Sequence, residues 1–147
     1  MIPSERTEPA RSALMRKVRR RNTGPEMMVR RLLHREGYRF RLHAGDLPGR
    51  PDIVFRRRRK VIFVHGCFWH RHEGCKRTTT PRTRREFWVD KFAANRKRDA
   101  AAVSSLERAG WEVVVVWECE TEDPERLKNR LVAFLESHHV PHHPART

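Results

Sequence analysis

Apolar and polar positions along the chain change period from block to block, and the blocks give an element order. From "NTGPE" onward, Thr23 offers a hydroxyl N-cap, Pro25 sits in a first turn and Glu26 adds an acid there. Met28, Leu32 and Leu33 then recur at helical spacing up to Gly37, which predicts a helix over 24–36. "YRFRL", "PDIVF" and "KVIFVH" are short runs rich in β-branched and aromatic residues, separated by "HAGDLPGR" and by the basic turn "RRRR"; they predict three meandering strands. Residues 85–109 form one long helical pattern ended by Gly110. "WEVVVVWE" is too apolar for a half-exposed strand and predicts a central strand buried on both faces. A last helix, 124–137, begins near Pro124 and presents Leu127, Leu131, Phe134 and Leu135. The order α, β, β, β, α, β, α is that of an α/β mixed sheet flanked by helices, with one strand joined through a helical crossover.

Outside these blocks the periodicity stops. Residues 1–22, with Pro3, Pro9 and the run Arg16-Lys17-Val18-Arg19-Arg20-Arg21, are expected to be a flexible basic arm, and 138–147, which hold four histidines, a disordered tail without a catalytic role. One domain over 23–137 remains, a fair size for a chain of 147 residues. Its net charge of +15, from 33 Lys and Arg against 18 Asp and Glu, predicts a polyanionic partner. Nucleic acid is preferred over a membrane, because no apolar run approaches spanning length and the start carries no signal-peptide pattern. Three cysteines cannot pair evenly. The cytoplasm is therefore the expected compartment, and the thiolates are better metal ligands than disulfide partners.

The chemistry concentrates in "VIFVHGCFWHRHEGC", residues 61–75. Cys67, His72 and Cys75 follow C-x4-H-x2-C, and Cys119 sits just after the last predicted strand; three thiolates and one imidazole are an accepted set for structural Zn²⁺. His65 shares a face with Val61 and Phe63, opposite Ile62 and Val64, and alternation alone leaves open whether that face meets core or cleft. Asp52 opens a predicted strand where a carboxylate has no structural use. A carboxylate beside histidines on a basic chain suggests metal-assisted phosphodiester hydrolysis, with oxygen ligation of Mg²⁺ and imidazole moving a proton. Phe68, Trp69 and Trp88 suit a core on composition alone, yet an aromatic pair on a tethered polar loop can also wedge between base steps. Asn95 and Asp99 interrupt the apolar stripe of the long helix and need partners, which bases could supply.

Taken together, "MRKVRRRNTGPE", "LPGRPDIVF", "VIFVHGCFWHRHEGC", "TRREFWVDKFAANRKRD" and "GWEVVVVWEC" resemble, in order, segments of the very short patch repair (Vsr) endonucleases, from about Met15 to about Leu135. The resemblance implies a restriction-endonuclease-like core and a DNA mismatch endonuclease that nicks double-stranded DNA 5′ of the thymine in a T:G mismatch, the product of 5-methylcytosine deamination. It implies Asp52 and the Val64 carbonyl as Mg²⁺ ligands, His70 activating the attacking water, His65 assisting at the phosphate and Glu26 in support. Cys67, His72, Cys75 and Cys119 would hold structural Zn²⁺. Phe68, Trp69 and Trp88 would form the intercalating wedge, with Lys91, Asn95 and Met15 facing the mispaired bases or the wedge. The arm would embrace the duplex. A monomer is expected, since a mismatch has no two-fold symmetry, and a link to a cytosine-5 DNA methyltransferase and repair machinery in a bacterial-type cytoplasm is implied.

The chain also departs from expected patterns. It lacks the E-x-K of most nucleases of that fold, with His65 and His70 in that region; position 64 is Val; Glu73-Gly74 alters the zinc loop; and "ETEDPE" after Cys119 is acidic. Two rivals stay open: a restriction or defence nuclease of the same fold acting on matched DNA, and a non-catalytic, zinc-stabilised DNA-binding module. An RNA-binding protein is disfavoured, because no stacking-sheet motif accompanies the aromatics.

Overall fold

The first helix, α1 (Gly24–Arg35), starts where the Thr23 hydroxyl accepts the Glu26 amide at 3.2 Å. It ends at Glu36, just before Gly37, whose φ of 93° suits glycine. A computed structural model describes residues 23–137 of the chain. The expected basic arm, with Met15, and the expected tail lie outside the described residues.

Four strands follow in one sheet of order β1-β2-β3-β4: β1 (Arg41–Leu42), β2 (Ile53–Phe55), β3 (Lys60–His65) and β4 (Glu112–Trp117). The first three pair antiparallel, while β4 runs parallel to β3 with His65 opposite Trp117. Between β3 and β4 come α2 (Cys67–His70), a single turn, and α3 (Arg85–Arg108), which makes the crossover. A 3-10 segment (Glu118–Glu122) leads into α4 (Pro124–Glu136), whose first turn is capped by the Asp123 carboxylate accepting the Arg126 amide. The mixed α/β architecture and the helix positions match the sequence pattern. The run "YRFRL" yields only two strand residues, and the one-turn helix α2 had no periodicity to announce it.

The sheet separates two cores, as period-two alternation requires. Ile53, Ile62 and Val116 meet α1 and α4 through Val29, Leu33, Leu127 and Leu131. On the opposite face Val61 and Phe63 pack with Leu106 of α3 and Trp111. One expectation fails. Among the described residues β4 is the edge strand, and only Val116 of it is fully buried. Helices cover both of its faces, so its sequence is apolar, but β3 is its only strand partner among the described residues. The open edge is partly blunted by Arg130 of α4, which donates to the Val115 carbonyl at 3.1 Å and to the Glu120 carboxylate.

Candidate active site and metal centre

Asp52 stands just before β2, and its Oδ2 accepts the main-chain N–H of Val64 at 2.7 Å, tying the start of β2 to the end of β3. Burial pushes its carboxyl up to about 7; the Val64 N–H works against the rise and nearby Glu26 adds to it. Glu26, only 1% exposed, reaches the same region from the first turn of α1. Its Oε2 is held by Arg30 Nη2 at 2.5 Å and lies 2.6 Å from His43 Nε2. His43 adopts a left-handed backbone (φ 47°), and its N–H donates to the Asp52 carbonyl at 3.1 Å. Glu26, His43 and Asp52 can each bring a donor atom within 4.8 Å of the others. Sequence reasoning missed His43; its only signal was an imidazole at the end of a strand-like run.

His65 points into the α3 face of the sheet, which settles the question alternation left open. It is 7% exposed, with its ring stacked on His70 at 3.8 Å between centroids and 7° between planes. Burial, then the charge of His70, lower its pKa to about 3, so it stays neutral near pH 7. His70, on α2, has its Nδ1 2.6 Å from Asp99 Oδ2 of α3. Asp99, whose partner the helix stripe left open, is thus bonded to an imidazole. These three residues also cluster within 4.8 Å. Nitrogen lone pairs lie in the ring planes, however, and two nearly parallel planes do not converge on one ion. The arrangement is a carboxylate-oriented imidazole with a neutral ring stacked behind it.

Cys67, His72, Cys75 and Cys119 bring four donor atoms within 4.8 Å of one another, joining the loop after β3 to the end of β4. His72 Nδ1 lies 3.6 Å from Cys67 Sγ and 3.5 Å from Cys119 Sγ. Tetrahedral bonds of about 2.0–2.3 Å place neighbouring ligands roughly 3.5–3.8 Å apart, the spacing that His72 keeps from Cys67 and Cys119, so the donor set fits a closed metal site. The rings connect this site to the histidines: Trp117 stacks on His72 at 4.2 Å and meets His65 edge-on at 5.4 Å.

Phe68 and Trp69 occupy α2, a helical turn where an irregular loop was expected. They are half-buried against Trp88 and Phe92 of α3; Trp69 lies 6.0 Å from Trp88 and Phe68 lies 5.2 Å from Phe92 between centroids. Val64, Gly66, Phe68, Trp69, His70 and Trp88 line one cleft, closed on another side by Thr23 and Pro25. Lys91 is half-buried on α3, and Asn95 donates its amide to the Trp69 carbonyl at 3.2 Å.

With this geometry in place, comparison with known proteins adds a lineage. The family described as DNA mismatch endonuclease Vsr matches residues 5–77. The type II nicking enzyme V.XorIIP of Xanthomonas oryzae pv. oryzae is 52% identical over 134 residues, covering 90% of this chain and 98% of the relative. The DNA mismatch endonuclease Vsr of Escherichia coli K12 is 44% identical over 117 residues, covering 80% and 74%. The type II nicking enzyme V.NmeAIP of Neisseria meningitidis is 38% identical over 125 residues, covering 85% and 89%.

Proposed function

This chain belongs to the DNA mismatch endonuclease Vsr family, and on that premise we propose that it nicks one strand of duplex DNA on the 5′ side of the thymine in a T:G mismatch. The supporting observation is the cleft in which Val64, bonded to Asp52, meets both His70, whose ring Asp99 holds from behind, and the aromatic group of Phe68, Trp69 and Trp88. One wall carries groups able to work at a phosphodiester, and the other carries flat apolar surface able to stack on bases.

Asp52, clustered with Glu26 and His43, and the Val64 carbonyl would be the groups that hold Mg²⁺. The cation would stabilise charge at the attacked phosphate. His70, oriented through Nδ1 by Asp99, accepts the proton of the attacking water. Neutral His65 fixes the plane of that ring and assists at the phosphate. Glu26, braced by Arg30 and His43, holds negative charge next to Asp52. The four-ligand cysteine and histidine site takes Zn²⁺ and keeps α2 in place. The sheet with its carboxylate at a strand start would be the core of a restriction-endonuclease-like fold.

Discrimination follows from deformability. A T:G wobble stacks less well than a matched pair, so opening that step to admit Phe68, Trp69 and Trp88 costs less. Lys91 and Asn95 of α3 face the opened step. The protein acts as a monomer on chromosomal DNA, repairing lesions that a cytosine-5 methyltransferase makes possible.

Strand-resolved cleavage of a labelled duplex carrying one T:G pair, beside its T:A control, tests this with Mg²⁺ and with Asp52→Asn. A nick beside the mismatched thymine that disappears in the variant is expected. Equal cutting of both duplexes would replace the reading with a matched-DNA nuclease, and binding without cutting would leave a DNA-binding module.

A further inference from the structure

At the end of the sheet away from Asp52 and His65, residues 56–59 join β2 to β3 as four consecutive arginines. Arg59 N–H donates to the Arg56 carbonyl at 3.2 Å, closing a β-turn, and Arg59 takes a left-handed backbone at φ 59°. Glycine or asparagine would occupy that position without strain, and the chain instead places a cation there. Beside the turn lies a groove of about 590 Å³ whose lining combines Arg39, Arg41 and Arg57 with the apolar Phe40, Val54 and Phe55.

The arginines divide into two groups. Arg56 pairs with Asp46 at 2.8 Å, Arg58 donates to the Leu135 carbonyl at 3.0 Å, and Arg59 donates to the Ala109 carbonyl at 2.9 Å over the Trp111 ring. These three fasten the hairpin to the body. Arg39, Arg41 and Arg57 are exposed and meet no carboxylate among the described residues. Their charge therefore remains available to an anion, and Phe40 and Phe55 supply apolar floor between them.

We propose that this groove is a second, sequence-independent binding surface for duplex DNA, separate from the cleft and engaging a different DNA segment. The choice of DNA over another polyanion rests on the reading of the chain as a DNA endonuclease. The separation rests on the fold. Lys60 and His65 are five strand steps apart, roughly 17 Å, so a duplex seated with its reacting phosphate at Val64 and His70 lies at the other end of β3. A chain holding two segments could pass between them without full release, and charge-only contacts suit that task because they carry no base preference.

The test compares the full chain with a triple variant, Arg39→Gln with Arg41→Gln and Arg57→Gln, which leaves every ion pair of the turn intact. With a short matched duplex at low salt, sedimentation velocity should find two duplexes per wild-type chain and one per variant. In the wild-type chain the second binding event should carry a salt slope of about 3, from the three phosphate contacts of Arg39, Arg41 and Arg57. Nicking of a short T:G duplex should stay within about twofold of wild type. One duplex per wild-type chain, or two per variant, overturns the proposal. So does a natively folded variant that loses nicking, because the groove would then serve the same duplex as the cleft. Should neither protein nick, the mismatch-endonuclease reading fails while the stoichiometry still decides the groove.

Discussion

Asp52 sits in an environment that favours its neutral form unless a cation arrives. Burial raises its carboxyl from an ordinary value of 3.8 to about 7, so the folded protein binds a proton there that the unfolded chain has released between those values. The stability gained from that proton is complete below pH 3.8 and is lost as pH rises through about 7. At pH 8 without divalent cation the ionised carboxylate destabilises the fold by an amount on the order of 4 kcal/mol. Asp52→Asn should therefore melt several degrees higher than wild type at pH 8 in chelator-free buffer without Mg²⁺, with the gap narrowing toward pH 5.5 and on addition of Mg²⁺, while nicking is abolished. A gap that does not vary with pH would remove the carboxyl's titration as its cause. The next residue along this logic is Asp99. With the carboxylate that holds His70 Nδ1 removed in Asp99→Ala, the imidazole loses its orientation, and the single-turnover nicking rate should fall about a hundredfold or more with little change in duplex affinity. A rate within threefold of wild type would reduce Asp99 to a helix-surface residue.

At the scale of elements, the order was legible because its signals are local. The Thr23 cap, Pro124 at the start of the last helix, the stop at Gly110 and the spacing of Leu127, Leu131 and Leu135 all act within a turn or two of themselves. The edge position of β4 was not, since an apolar run has the same composition whether strands or helices cover it. Nor were the pairings that make the site: His43 meets Glu26 across 17 residues and His70 meets Asp99 across 29, distances that only the assembled sheet brings together. The cysteine set was legible because ligand chemistry singles out cysteine and histidine. Its consequence depends on β4, whose Trp117 lies against both His72 and His65. Cys119→Ser should thus lower bound metal below one equivalent, measured by elemental analysis, and reduce the melting temperature. Nicking should fall further than the lost stability explains at a temperature where the variant remains folded, because α2 carries His70. Full metal content in the variant would show that Cys119 is not a ligand.

For the whole molecule, the issue is how one side of the sheet commits to damaged DNA while the net charge of +15 attracts any DNA. Phosphate contacts set affinity and carry no sequence information. Under the proposed function, discrimination falls to the aromatic group, whose members are partly buried on one another before any duplex arrives: Trp69 lies within 6.5 Å of Phe68, Trp88 and Phe92 between ring centroids. Moving Trp69 into a base step exchanges those ring contacts for base contacts, and the exchange is favourable only where the step opens cheaply. Trp69→Ala removes the wedge but leaves the arginines and lysines in place. Affinity for a matched duplex should remain within about threefold of wild type, while preference for T:G over T:A in nicking should drop about tenfold or more, a loss of roughly 1.4 kcal/mol in discrimination. Equal losses on both duplexes, accompanied by a lower melting temperature, would instead make Trp69 a packing residue of the α2–α3 contact and move the source of discrimination to the polar residues along α3.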